Sequence, residues 1–326
     1  MTHHPGRRAL TAGLLALPAL ARPRGAGAQT EAWPNRPIRV IYPFAPGAGD
    51  LVPRLISEQL PALLGQGLVI EHKPGANTMI GAEAAARAPK DGYTLGWVAS
   101  STLVMNPNLY PNITYRLEDF APVCLAYRAP VAFAVTAALP IRTVAEALAH
   151  IRRNPGLGVG SVGNGSSPHV TMEMMMGLAG VTLESVAYRG EQAIITDLMT
   201  GRVPFYAGST NSLLPHLESG KFRILAISSP ERLAVLPEVP TFRESVHPDL
   251  VLRYWHGVVA PAGVPAPIVA RLAASFAEIL RSDTVRQKLP PDMEVDPVQL
   301  DDFAALIREE KARYGRIIAE RNITVQ

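Results

Sequence analysis

The sequence contains one cysteine, Cys124, among its 326 residues. A single cysteine excludes an intramolecular disulfide, and it cannot supply the several thiolates that a cysteine-based zinc site requires. Cys124 lies in the apolar run 121–126, and free cysteines in such surroundings are usually buried. We therefore expect Cys124 to be a small core residue.

Long apolar segments and dense basic runs are also lacking. Beyond the N-terminal region, no stretch is long and apolar enough for a transmembrane helix. Aromatic residues make up 6% of the chain and are not interleaved with clustered lysines or arginines, as they are on nucleic-acid-binding surfaces. We therefore expect no nucleic-acid partner. The 48% hydrophobic and 18% charged content is typical of a folded soluble protein.

Several catalytic and metal-binding patterns are missing as well. The histidines form no H-E-x-x-H or other close ligand pair, and no G-x-S-x-G nucleophile motif is present. Residues 158–163 match G-x-G-x-x-G, but the first glycines fall inside a predicted strand, which argues against a dinucleotide site. We expect no metal, no cofactor and no enzymatic activity, with a hydrolase or isomerase using His169 and Asp197 as the alternative.

The N-terminus has the features of an export signal. Arg7 and Arg8 precede an apolar segment, residues 9–21, and residues 26–28 fit a small-residue cleavage site. Residues 1–28 carry four arginines and no acid, so removing them changes the formal charge from +3 to −1. We expect export to the periplasm by the Sec or the twin-arginine route, with a mature chain that starts near residue 29.

Apolar runs alternate with helical patterns along the rest of the chain. The first block, residues 38–98, predicts strands at 38–44, 69–71 and 93–98 with helices at 51–64 and 79–87 between them. A second block, residues 131–228, repeats this alternation, and two helices close the chain at 266–281 and 300–321. This order predicts an α/β fold with a mainly parallel sheet.

A glycine-containing loop, residues 44–50, separates the first predicted strand from the first helix. Such a junction leaves backbone N–H groups free at the start of the helix, which suits an anion, although an ordinary turn has the same composition. Asp50 would either cap the helix or accept a hydrogen bond from a ligand. We call residues 44–50 loop 1.

A second polar loop, residues 161–166, precedes another helix and is called loop 2. Ser166 or Ser167 is a good N-cap, Pro168 suits the first turn, and His169 follows as a residue that lines a cleft. Ligands of open α/β sheets bind beyond the carboxyl ends of the strands. We therefore expect loops 1 and 2 to face a common cleft.

These segments, in this order, resemble the substrate-binding proteins of tripartite tricarboxylate transporters, also called Bug proteins. The matching segments cover nearly all of the predicted mature chain. They are residues 33–38, 43–47, 64–66, 73–76, 91–95, 119–123, 161–166 with His169, 188–190, 197–201, 236–241, 255–257 and 260–265.

The resemblance implies a type II periplasmic-binding-protein fold with a ligand cleft between two α/β lobes. Lobe 1 would hold residues 30–128 and 255–326, and lobe 2 residues 129–254, with crossover strands near residues 127–131 and 253–259. It also implies a small carboxylate ligand held by backbone amides, hydroxyl groups and water, and a membrane permease as partner. We expect a monomer.

The ligand-binding positions carried over from the family fall in four places. They are Phe44, Ala45, Gly47 and Ala48 in loop 1; Ser100, Ser101 and Thr102 after the third strand; Ser161, Gly163, Asn164, Gly165, Ser166 and His169 around loop 2; and Asp197, Tyr206 and Ser209. Loop 1 departs from the family pattern of Pro-Gly-Gly, two residues, then Asp, because it is one residue shorter and has Ala48 at the second glycine.

We therefore expect an exported receptor that delivers a small carboxylate to a transporter of this type. A ligand-sensing partner of a membrane sensor is the alternative that keeps the same binding site.

Overall fold

The computed structural model describes residues 33–163, 165–188, 190–320 and 322–325. The predicted signal segment, residues 1–28, lies outside them, as does Asn164 of loop 2. Among the described residues, no helix is both long and apolar enough to cross a bilayer.

The described residues form nine strands in the order β2-β1-β3-β9-β4-β7-β5-β6, with β8 also paired to β4. Strands β1, β2 and β3 are parallel to one another, and so are β5, β6 and β7. The strands are β1 Ile38–Tyr42, β2 Leu68–His72, β3 Thr94–Ala99, β4 Phe120–Thr136, β5 Gly158–Ser161, β6 Glu184–Ala187, β7 Phe205–Ser209, β8 Phe222–Ile227 and β9 Arg253–Pro261.

Helices occupy most of the segments between the strands and after the last strand. Short 3-10 turns or π-helical stretches lie at residues 48–50, 101–105, 117–119 and 214–219. The α-helices are α1 Leu51–Leu64, α2 Met79–Ala86, α3 Asn106–Leu109, α4 Val144–Arg153, α5 Ser167–Ala179, α6 Glu191–Thr200, α7 Thr210–Leu213, α8 Phe242–Ser245, α9 Ala266–Arg281, α10 Asp283–Arg286 and α11 Leu300–Glu320.

Strand β4 is 17 residues long and joins the two parts of the sheet. Its first part, through Pro130, pairs with β9, and residues from Val131 onward pair with β7 and β8. The sequence pattern predicts a strand over 131–135, and the family resemblance places a crossover strand near 127–131, so the observed strand is longer than both. Pro122 and Pro130 lack the N–H that a central strand needs. The register shift that follows Pro122 accommodates this proline within the pairing with β9.

Side-chain caps fix where the helices of the second block begin. The Thr143 hydroxyl accepts a hydrogen bond from the Glu146 backbone N–H at 3.2 Å, as the sequence predicts. Ser166 caps α5 by accepting from the His169 N–H at 3.4 Å. This cap places Ser167 and His169 on the first turn of α5, at the end that faces loop 2.

The apolar core extends from one part of the sheet to the other. Phe133 of β4 and Phe205 of β7 stack with ring centroids 5.4 Å apart, while Trp255 of β9 packs edge-on against Phe303 of α11 at 5.3 Å. Cys124 is fully buried, and burial raises the pKa of its thiol to about 12. The prediction that Cys124 is a core residue is confirmed.

Candidate ligand-binding site

Five strands end at the segments that carry the predicted site. Loop 1 follows β1, residues 100–102 follow β3, loop 2 follows β5, α6 follows β6, and α7 follows β7. Because β1 is parallel to β3, and β5 is parallel to β6 and β7, each set of strand ends lies on one edge of the sheet. The segments that follow them therefore lie at two such edges, one in each part of the sheet.

Loop 1 presents an aromatic ring toward the centre of the sheet. The half-buried Phe44 ring stacks on His256 of β9 at 5.3 Å, and Tyr127 of β4 stacks on the same imidazole at 4.9 Å. Ala45 and Gly47 are exposed, and Ala48 begins the 3-10 turn that leads into α1. Neither Gly47 nor Gly49 has a positive φ, so loop 1 does not use the turn geometry that favours glycine.

Asp50 does not have the predicted capping role, because its side chain makes no cap hydrogen bond to α1. Its carboxylate is buried and instead pairs with Arg54 Nε at 2.8 Å and with His72 Nε2 at 3.4 Å. His72 Nδ1 lies 3.0 Å from the Phe44 carbonyl oxygen. The carboxylate thus ties loop 1 to the end of β2.

Residues 100–102 are all buried, but their hydroxyl groups have different partners. Ser100 Oγ lies 2.8 Å from Ser167 Oγ on α5. Thr102 Oγ1 is 2.7 Å from Thr78 Oγ1 and accepts from the Ala99 N–H at 3.1 Å. Within this segment, Ser100 is therefore the residue that reaches the neighbourhood of loop 2.

Loop 2 is held by its own serine and by His169. Ser161 Oγ accepts from the Gly163 N–H at 3.3 Å, and the Gly165 N–H donates to His169 Nδ1 at 3.2 Å. Gly163 and Gly165 have φ of +132° and +79°, which favour glycine at both positions. The loop brings Gly165 close to residues before α2, since an added methyl group there would lie 3.1 Å from Asn77 Nδ2.

His169 and His256 both carry neutral imidazoles at neutral pH. Burial lowers the pKa of His169 to about 4 and that of His256 to about 3. Trp97 Nε1 donates to His256 Nδ1 at 2.8 Å, which leaves Nε2 of His256 as the protonated nitrogen. These rings contribute hydrogen-bonding capacity without positive charge.

The hydrogen-bond and ion-pair partners of Asp197 flank α6. On α6, its carboxylate accepts from the Tyr188 hydroxyl at 2.9 Å and pairs with Arg202 at 2.9 Å. Both partners are close to Asp197 in sequence, because Tyr188 lies just before α6 and Arg202 just after it. The structure therefore accounts for Asp197 as a local anchor of α6.

Tyr206 and Ser209 converge on a residue that the sequence analysis missed, Glu191. The Tyr206 hydroxyl donates to Glu191 Oε1 at 2.8 Å, and the Ser209 N–H donates to the same oxygen at 3.1 Å. Ser209 Oγ accepts from the Tyr254 hydroxyl at 3.1 Å. Tyr254 lies on β9, so this chain of contacts links the ends of β6 and β7 to the other part of the sheet.

A second missed residue, Asp292, lies in the connection between α10 and α11 and is only 4% exposed. The signal for Glu191 was present, since a glycine and an acid open a helix directly after a predicted strand. No local pattern marks Asp292, because the contacts that bury it come from distant parts of the chain.

The site as a whole offers hydroxyl groups, backbone amides, neutral imidazoles and two carboxylates. Among the described residues, no three His, Cys, Asp or Glu side chains form a group that could hold a metal ion. A site of this kind binds by hydrogen bonding and charge complementarity.

Comparison with known proteins places the chain in a family. A sequence model described as "Tripartite tricarboxylate transporter family receptor" matches residues 52–323. A UPF0065 protein of Bordetella bronchiseptica is 33% identical over 315 residues, which cover 95% of this chain and 93% of that protein. The protein BugT of Bordetella pertussis is 30% identical over 295 residues, which cover 89% of this chain and 90% of that protein.

Two solved structures also share the fold. Rpa4515 of R. palustris with adipate is 30% identical with a TM-score of 0.84, over 90% of this chain and 100% of that one. MatC (Rpa3494) from Rhodopseudomonas palustris with bound malate is 30% identical with a TM-score of 0.80, over 88% of this chain and 100% of that one.

The mixed α/β fold is that of periplasmic binding proteins, so the fold expected from the sequence is confirmed. The family match spans most of the chain and agrees with the resemblance carried by its motifs. The chain belongs to the tripartite tricarboxylate transporter receptor family.

Proposed function

We propose that this protein is an exported, periplasmic receptor that captures a small carboxylate and delivers it to the membrane permease of a tripartite tricarboxylate transporter. The main support is that two relatives of the same fold, each 30% identical, hold the dicarboxylates adipate and malate. In this chain, the segments after five strands supply donors of the kind that bind carboxylates. The protein would act as a monomer.

Capture would proceed by closure of two lobes, residues 30–128 with 255–326 and residues 129–254. Strands β4 and β9 would cross between these lobes, since each spans a proposed boundary. The 2.8 Å contact between Ser100 and Ser167 would then join side chains of opposite lobes. Closure over the ligand would strengthen such contacts and present a surface that the permease recognises.

The side chains around His169 favour binding over catalysis. Ser166, three residues before His169, is engaged as the cap of α5, and Asp197 is paired with Arg202. A general base requires a proton donor within reach and an orienting partner. His169 Nδ1 accepts from the Gly165 N–H at 3.2 Å, so in the neutral ring Nε2 carries the proton, 3.7 Å from Glu173 Oε1. The imidazole is therefore better suited to donate a hydrogen bond to a ligand than to abstract a proton.

Thermal unfolding with matched ligand pairs tests the proposal. Each dicarboxylate is compared with the neutral diamide of the same length, for example adipate with adipamide. A ligand at 100 times its Kd should add about 2.7 kcal/mol to the unfolding free energy. Stabilisation by a diamide or a cation, with none by any carboxylate, would refute the proposal.

Deletion of the gene separates transport from sensing. Loss of uptake of the identified ligand supports delivery to a permease. Normal uptake, together with intact ligand binding by the purified protein, would instead favour the sensor role.

A further inference from the structure

Asp292 combines deep burial with a lack of partners. The residue is 4% exposed, and neither carboxylate oxygen has a hydrogen-bond partner among the described residues. Burial of an unpaired charge is costly unless a proton or an opposite charge compensates it. Asp292 is therefore a candidate to bind a group that the chain itself does not supply.

Backbone pairing locates Asp292 at the crossing between the two parts of the sheet. Glu294 and Arg128 form an antiparallel bridge with two backbone hydrogen bonds of 2.9 Å. Asp292 lies two residues before this bridge. On β4, the carbonyl oxygen of Pro130, two residues after Arg128, accepts from the Thr210 hydroxyl at 3.4 Å. The backbone of Asn211, in α7, acts to lower the pKa of the Asp292 carboxyl, which locates Asp292 near the start of α7.

Glu191 approaches the same place from the end of β6. One of its oxygens accepts from Tyr206 and from the Ser209 amide, and Ser209 contacts Tyr254. Burial raises the pKa of Asp292 to about 6, and the charge of Glu191 also acts to raise it. Burial likewise raises the pKa of Glu191.

Aromatic side chains lie near the two carboxylates. The hydroxyl groups of Tyr127 and Tyr254 lie within the electrostatic influence of both acids. Neither acid forms an ion pair with a lysine, arginine or histidine among the described residues. Two acids beside aromatic rings are suited to a cation, which gains from both charge and ring faces.

We propose that Asp292 and Glu191 bind a protonated amine on the ligand, so that this receptor selects carboxylates that also carry an ammonium group. The inference rests on the proposed function, which supplies the carboxylate end of the ligand. An amine-free dicarboxylate would bring further negative charge toward two acids with no positive partner.

Calorimetric titration at pH 7.5 with matched pairs tests this selection. The pairs are aspartate with succinate, glutamate with glutarate, and 2-aminoadipate with adipate. Wild type should bind the amine-bearing member of at least one pair about tenfold more tightly, since hydrogen bonds to charged groups are among the strongest. In Asp292→Asn, the ratio should fall to within about threefold.

Asp296→Asn is the matched control, because it makes the same chemical change four residues away at an exposed position. It should retain the wild-type preference for the amine. Glu191→Gln is the second test variant, and it decides the outcome if circular dichroism shows that Asp292→Asn is unfolded. Its amide oxygen can still accept from Tyr206 and Ser209.

The outcomes separate the inference from the proposed function. Equal or tighter binding of the amine-free members by wild type would overturn the inference and leave the proposed function standing. An amine preference that persists in both folded variants would also overturn it. Failure of every carboxylate, with or without an amine, to bind wild type would refute the proposed function itself.

Discussion

His169 and His256 show how burial alone sets the charge of a residue. Both are buried, and loss of water lowers the pKa of His169 to about 4 and of His256 to about 3. In the unfolded chain a histidine titrates near a pKa of about 6.5. Between these values the unfolded state binds more protons than the folded state, so stability falls as the pH falls.

Replacing His256 with glutamine should weaken this pH dependence. Each buried neutral histidine contributes up to about 1.4 kcal/mol of unfolding free energy per pH unit below about pH 6.5. Urea unfolding of wild type and His256→Gln at pH 7, 6 and 5 measures the difference. The more exposed His247 provides the control His247→Gln. The assignment fails if His256→Gln loses stability as steeply as wild type.

At the scale of elements, the contact between β5 and α6 determines where Glu191 lies. Gly160 of β5 faces Ile194 of α6 so closely that an added Cβ would lie 2.3 Å from Ile194 Cγ2. The absence of a side chain lets the helix pack directly on the strand. Because Glu191 opens α6, this packing also positions one of the two acids of the proposed amine site.

Gly160→Ala should therefore destabilise the fold by about 1–3 kcal/mol, as overpacked core substitutions do. Chemical denaturation measures the loss, and ligand titration should show weaker binding because α6 shifts. Gly67→Ala is the control, since a methyl group there meets only Pro61 Cγ at 4.0 Å. Equal stability of the two variants would contradict the packing described here.

At the scale of the whole molecule, the hydroxyl pair of Ser100 and Ser167 links the two proposed lobes away from the crossover strands. If ligand exchange requires the lobes to separate, a covalent link at this pair should hinder it.

The double variant Ser100→Cys with Ser167→Cys tests this motion. Under oxidising conditions, the rates of ligand association and dissociation should both fall at least about tenfold, and a reductant should restore them. Stopped-flow fluorescence measures these rates. The native Cys124 is fully buried and should not compete. Unchanged rates in the oxidised, cross-linked protein would exclude closure at this contact.

The sequence alone was sufficient to predict much of the secondary structure of this protein and its family. Its strand and helix periodicity, the caps at Thr143 and Ser166, and the burial of Cys124 all follow from local patterns. Its motif order was sufficient for the family. Such features depend on neighbours within a few residues, which is why they are readable from the chain.

Only the tertiary structure decided which polar groups have partners. It paired Asp50 with His72 at the end of β2, brought Ser100 to Ser167, and left Asp292 buried without a partner among the described residues. It also extended β4 through two prolines by pairing it with β9. The physical reason is that burial and charge pairing depend on residues brought together from distant parts of the chain, whereas local periodicity does not.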